Sequence, residues 1–145
     1  MGADYRITEE ASDQETVSEE ILSEILRYNA SQAGPLHDKK LVLAVRGPDN
    51  SLLGGLVGVQ YWNGMFIDLV WVHERLRGRG IGTELMKRAE AALKARGGEV
   101  LFLSTWSFQA PAFYEKLGYS PFGTLEDMPP NSRRTWYSKR LSNAA

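Results

Sequence analysis

From residue 17 to residue 26 the apolar side chains are Val17, Ile21, Leu22, Ile25 and Leu26, the three-and-four spacing of one helical face. This predicts an amphipathic helix over Gln14 to Ala30, with acidic residues crowded into its first half where the helix dipole is positive. Ahead of it, Tyr5-Arg6-Ile7 reads as a short strand. After the loop SQAGPLHDKK come the strand LVLAVR, the tight turn GPDNS and a glycine-rich strand from Leu52 to Trp62. Gly54, Gly55 and Gly58 in that strand point to a bulge or a close backbone approach. Asn63-Gly64 is the hairpin turn, and Met65 to His73 is apolar enough to be a strand buried on both faces. Ile81, Leu85, Met86, Ala89, Ala92 and Leu93 make the stripe of a second long helix, ended by Gly97-Gly98. A buried strand EVLFLST, a short helix from Ala110 to Leu117 and a strand pair around DMPPNS complete the chain. The order β-α-β-β-β-α-β-α-β-β shows no repeat and no boundary, so residues 1–145 read as one α/β domain with a mixed sheet.

Composition narrows the function classes. A chain that is 43% hydrophobic builds its own core, and it has no cysteine, so disulfides and a cysteine acyl-enzyme are excluded. A formal net charge of −1 gives no overall drive towards nucleic acid or anionic membrane. No apolar signal core or spanning run is present, which fits a cytoplasmic protein with no membrane partner.

The chemistry concentrates in ERLRGRGIGTELMKRAEAAL, Glu74 to Leu93, where glycines alternate with cations just before a helix. The first turn of a helix offers free N–H groups and partial positive charge, and Arg77 and Arg79 add mobile cations. A phosphate or pyrophosphate is the ligand this suits. It is not a P-loop, because no Lys-Ser or Lys-Thr follows, and G-x-G-x-x-G fails at Thr83 and at Leu85. The competing account is a glycine-rich turn that merely starts a helix.

Arg77-Gly78-Arg79-Gly80-Ile81-Gly82 matches the Q/R-x-x-G-x-G/A signature of the GNAT N-acetyltransferase superfamily, and PAFYEKLGY (Pro111 to Tyr119) resembles that family's segment after its fifth strand. The resemblance runs from Tyr5 to Leu141, and STWSFQAPAFYEKLGY looks like a bacterial subgroup of small acetyltransferases without a defined substrate. It implies the GNAT acyl-CoA N-acyltransferase fold, with a sheet splayed between Met65–His73 and Glu99–Thr105 and acetyl-CoA in the wedge. The pyrophosphate is then expected on the backbone from Arg77 through Gly78, Arg79, Gly80, Ile81 and Gly82 to Thr83. Pantetheine is expected along Trp71 and Val72, with Ala110, Phe113 and Tyr114 also on the cofactor. Seven positions before Tyr114 the family often has a cofactor-contacting Asn; here it is Ser107, with shorter reach.

A direct attack of an amine on a thioester needs a proton acceptor and a group that stabilises the departing thiolate. Ser104, Thr105 and Ser107 sit in no G-x-S-x-G elbow, and two histidines, His37 and His73, make neither a triad signature nor a zinc motif, so no metal is expected. The resemblance assigns the thiolate to Tyr114. A phenol near ~10 against a thiol near ~8.5 makes full proton transfer uphill by about 2 kcal/mol, so a hydrogen bond serves as well as donation. As base, Asp68 (a lone charge in an apolar strand), Glu74 and His73 compete with one another and with a water chain. The acceptor, a small-molecule or peptide amine, is expected among Tyr28 of the first helix, Trp62 of the hairpin and Trp106. The rival functions are an acyl-CoA sensor without catalysis and single-strand nucleic-acid binding through RRTWYSKRL; the charge balance speaks against the second. The free edge of the last strands invites a homodimer.

Overall fold

The computed structural model describes Gly2 and residues 4–142. The chain forms two units, Met1–Leu36 and His37–Ala145. In the first, α1 spans Gln14–Ala33, with Glu15 in its first turn, and ends where Gly34 donates its N–H to the Ala30 carbonyl. The helix runs one turn further than its apolar spacing predicts. The strand predicted at Tyr5-Arg6-Ile7 does not form. A strand exists only where a neighbour takes its N–H and C=O groups; here Tyr5 and Ile7 are 76% and 91% exposed and join no ladder.

The second unit is a six-stranded sheet in the order β1-β2-β3-β4-β6-β5. Its strands are β1 Lys39–Arg46, β2 Leu52–Tyr61, β3 Gly64–Val72, β4 Val100–Trp106, β5 Ser120–Glu126 and β6 Arg133–Arg140. Every neighbouring pair is antiparallel except β3 and β4, which are parallel. The long helix α2, Ile81–Ala95, makes the crossover that parallel strands require. Its predicted stripe faces inward: Leu85, Met86, Ala89 and Leu93 are buried against Leu56, Met65, Ile67, Leu101 and Leu103. The short helix α3 spans Pro111–Lys116.

Three local features position the site, two of them departures from the predicted pattern. The hairpin loop is Trp62-Asn63, one residue earlier than Asn63-Gly64, with Trp62 at φ 48°. The N–H groups of Glu99 and Val100 both point to the Asn63 carbonyl, which holds Asn63 in the bend and leaves Gly64 in the ladder opposite Val100. Next, β3 carries a bulge. Val57 faces Leu69 and Gly58 faces Ile67, so Asp68 is an extra residue. The bulge reverses the alternation of the strand. Met65 and Ile67 point into the core before it; Val70 and Val72 do so after it. The expected two-sided burial of this strand is therefore wrong: Asp68 is exposed, and Leu69 and Trp71 are 60% and 46% exposed. Finally, the parallel ladder has only the pairs from Gly64–Val100 to Phe66–Phe102, beyond which β3 and β4 part. This is the splay that the resemblance implied.

An ionic cluster ties the two halves of the split sheet together. Glu90 on α2 accepts from Lys139 Nζ on β6 at 2.8 Å and from the Tyr119 hydroxyl at 3.1 Å, and Lys139 also donates to the Leu117 carbonyl at 2.8 Å.

Candidate active site

Where β3 and β4 separate, each strand has an edge without a strand partner. Two cavities of about 610 and 500 Å³ open there and meet along Val70, Val72, Arg77, Ala110 and Tyr114. The larger one reaches the bulge at Asp68 and the far wall at Trp106 and Arg134. The smaller one is lined by Gly78, Gly80, Gly82 and Thr83 at the start of α2. The sequence-predicted cofactor residues Trp71, Val72, Arg77, Gly78, Gly80, Ile81, Gly82, Thr83, Ala110, Phe113 and Tyr114 all line this cleft. Arg79 is exposed on the loop beside it.

The glycines have different tasks. Gly80 caps α2 with φ 80°, a left-handed conformation that an L side chain resists. It turns the chain so that the first-turn N–H groups of Ile81, Gly82 and Thr83, which have no partner among the described residues, face the cleft. Gly82 makes room for protein rather than ligand: a Cβ there would stand 3.2 Å from the Phe113 ring. The two recognised segments thus pack on each other, and this contact sets the position of Tyr114. A Gly82→Val substitution is expected to cost about 2 kcal/mol in chemical denaturation by overpacking, and to weaken acetyl-CoA binding in titration by displacing α3. Full retention of both would detach Gly82 from the site. Arg77 reaches back to donate Nε–H to the Val72 carbonyl at 3.1 Å, and its terminal nitrogens have no partner among the described residues.

Tyr114 stands where the two cavities meet. Its ring is fixed by edge contacts to Phe113 and Tyr119, with centroids 5.0 and 6.1 Å away. Its hydroxyl makes no hydrogen bond among the described residues, and burial raises its pKa above the ordinary tyrosine value. The group is a proton donor with no partner other than whatever enters the cleft.

Of the other predicted residues in the second unit, several lie outside the two cavities. Ser107 points away from the cleft: its Oγ accepts from the Arg133 N–H at 3.1 Å and its own N–H donates to the Arg133 carbonyl. The neighbouring turn is held instead by Gln109 and Thr105, whose side chains bond Trp106 N–H and Ala110 N–H. Glu74 opens the 3-10 turn Glu74–Leu76 and is exposed, outside the cavity lining. His73 accepts the Arg75 N–H at Nδ1, which caps that turn. Trp62 is at the hairpin, the closed end of β3, and residues rising ~3.3 Å each separate it from the open end. Tyr28 lies on the exposed face of α1 with Ile21 and Ile25. The basic stretch Arg133–Arg140 is largely committed: Arg133 pairs with Glu126, Lys139 with Glu90, and Arg134 with aromatic rings. Among the described residues no three His, Asp or Glu side chains converge as metal ligands, and no helix is long and apolar enough to cross a membrane.

An open mixed sheet whose central strands part, with an anion-receptive helix start on one side and a phenol unbonded among the described residues at the fork, defines a site for an elongated ligand with an anionic group. A sequence profile of the acetyltransferase (GNAT) family matches residues 5–119, and the chain belongs to that family of acetyl-CoA-dependent acetyltransferases. It is 41% identical over 85 residues to the blasticidin-S acetyltransferase of Streptomyces morookaense, a match spanning 58% of this chain and 62% of that protein. It is 31% identical over 117 residues to acetyltransferase Atu2258 of Agrobacterium fabrum, covering 81% of this chain and 85% of the other. The crystal structure of an acetyltransferase from Bacillus cereus superposes with a TM-score of 0.85 at 30% identity, covering 94% of this chain and 98% of that one.

Proposed function

We propose that the protein moves an acetyl group from acetyl-CoA directly to a primary amine of a small molecule or peptide, with no covalent enzyme intermediate. The observation that carries this is the unbonded Tyr114 hydroxyl at the junction of an anion-receptive loop and an open, partly aromatic cavity. The family match crosses both units, which supports reading the whole chain as one acetyltransferase domain. The Streptomyces relative is named for blasticidin S, which supports a small-molecule acceptor.

The residues suit the cosubstrate. Free N–H groups at the start of α2, with Arg77 and Arg79 beside them, match a diphosphate. The unpaired edge of β3 beyond Phe66 matches a chain of amides. When bound, acetyl-CoA supplies a thioester carbonyl for the amine to attack and a thiolate to leave. Tyr114 then offers its proton to the leaving sulfur. Asp68, exposed in the β3 bulge and lining the larger cavity, takes the ammonium proton directly or through water. Glu74 is further from this role because it lies outside the lining. The exposed edge strand β5 supports pairing into a homodimer, and the proposed reaction is a cytoplasmic one.

Isothermal titration of acetyl-CoA together with an amine panel read by free-thiol release tests the reading. Saturable binding with amine-dependent thiol release is expected. Binding without release on any amine would favour an acyl-CoA sensor, and no binding at all would remove the proposal.

A further inference from the structure

Among the described residues Arg134 has no carboxylate partner, although it is half-buried. Its guanidinium carbon lies 4.7 Å from the centre of the Trp106 ring and 4.6 Å from that of Trp136. The cation therefore lies against two indole rings. Its Nε–H is committed to Ser104 Oγ at 2.7 Å. Trp106 is itself fixed, since its indole N–H donates to the Met128 carbonyl at 3.1 Å. What is left of Arg134 is the outer edge with the two terminal nitrogens, which donate to nothing among the described residues, and the residue is part of the lining of the larger cavity. A guanidinium held by two indoles and a hydroxyl, with its outer edge unbonded, accepts a planar, bidentate anion approaching edge-on. The same cavity is lined on its β3 side by Asp68, the opposite charge.

Resting on the reading of this cleft as an amine acetyltransferase site, we propose that the acceptor is an amino-carboxylate, whose carboxylate is received by the terminal nitrogens of Arg134 while its amine stands at the Asp68 end of the cavity. Arg134 is then the specificity-determining residue. Surface arginines do not need two indoles and a serine to hold them; the arrangement fits a cation pre-set for a ligand carboxylate, with little side-chain entropy left to lose on binding.

The test uses the whole protein with ω-amino carboxylates of two to six carbons, each beside its own carboxamide. Binding is read by tryptophan fluorescence and transfer by thiol release, with acetyl-CoA affinity measured separately. The wild-type protein is expected to prefer at least one carboxylate over its carboxamide by about tenfold or more in kcat/KM and in Kd, a range usual for a charge-assisted contact. Arg134→Gln is expected to erase that preference through KM, with acetyl-CoA affinity unchanged. Arg134→Lys keeps the charge and loses the fork, so only part of the preference should remain. Equal use of carboxylate and carboxamide by the wild-type protein, binding of neither, or a preference that survives Arg134→Gln would each overturn the assignment. The wild-type comparison needs no variant to fold. If acetyl-CoA binds and carboxylates are preferred in fluorescence without any thiol release, the anion site stands and it is the amine-transfer reading that fails.

Discussion

Tyr114→Phe is expected to lower kcat for acetyl transfer by about 100-fold while leaving the Kd for acetyl-CoA within about twofold. The substitution removes one oxygen. The ring stays between Phe113 and Tyr119, and the hydroxyl has no hydrogen bond among the described residues whose loss would disturb the fold. Thermal stability should therefore hardly move, which separates a catalytic defect from a folding one. The pH profile adds a sign. Burial raises the phenol's pKa, so Tyr114 stays protonated as the pH climbs to ~10, and its ionisation contributes no alkaline loss of rate below that. The raised value also makes complete proton transfer to a thiolate more uphill than for an ordinary tyrosine. Its contribution is then chiefly a hydrogen bond that strengthens as the sulfur gains charge. Wild-type turnover in Tyr114→Phe would assign that role to another donor in the cleft.

Most strands and helices, the splay and most of the residues that line the cleft were legible because they rest on local chemistry. A helical stripe, a glycine-rich helix start and an FY pair can each be read from a few adjacent residues. What was not legible depends on register. The bulge at Asp68 is invisible in FIDLVWV, because nothing in those residues says that the partner strand is one residue short. Yet the bulge decides that Asp68 is an exposed group in a cleft and not a buried charge in search of a partner. Arg134 escaped for the same reason. In sequence it was one cation in a basic stretch that suggested nucleic acid; only the pairing of Trp106 with Arg134 and of Ser104 with Trp136 puts the two indoles and the hydroxyl around it. Ser107 shows the limit of carrying a family position across. The place in the motif is kept, but the shorter side chain finds the Arg133 backbone instead of the cleft. The strand expected at Tyr5-Arg6-Ile7 had a reasonable composition and no neighbour, and composition alone supplies no neighbour.

The stability of the cleft itself leads to Lys139. The sheet is held together by only three parallel pairs between β3 and β4, so something else must keep its halves at a fixed opening. Glu90 comes from α2, which covers the β2–β3 half; Lys139 comes from β6, in the other half. Their side chains are 14% and 28% exposed, and Lys139 also takes the Leu117 carbonyl just after α3. Lys139→Met keeps the stem and removes the charge. It leaves Glu90 as a largely desolvated carboxylate whose remaining partner is the Tyr119 hydroxyl, and leaves the Leu117 carbonyl without its donor. The expected loss is about 3 kcal/mol in urea denaturation, the lower end for breaking a buried pair because Lys139 is partly exposed. Acetyl-CoA affinity should fall with it, since α2 begins at the glycine loop and Lys139 also holds the Leu117 carbonyl just after the Tyr114 helix. Adding Glu90→Leu is expected to restore most of the stability, because the cost comes from an unpaired charge and not from lost attraction as such. If that double variant regains stability but still binds acetyl-CoA weakly, the ion pair sets the width of the cleft. If it regains both, burial alone holds the halves apart, and the pair is only the way this sequence accommodates two charges there.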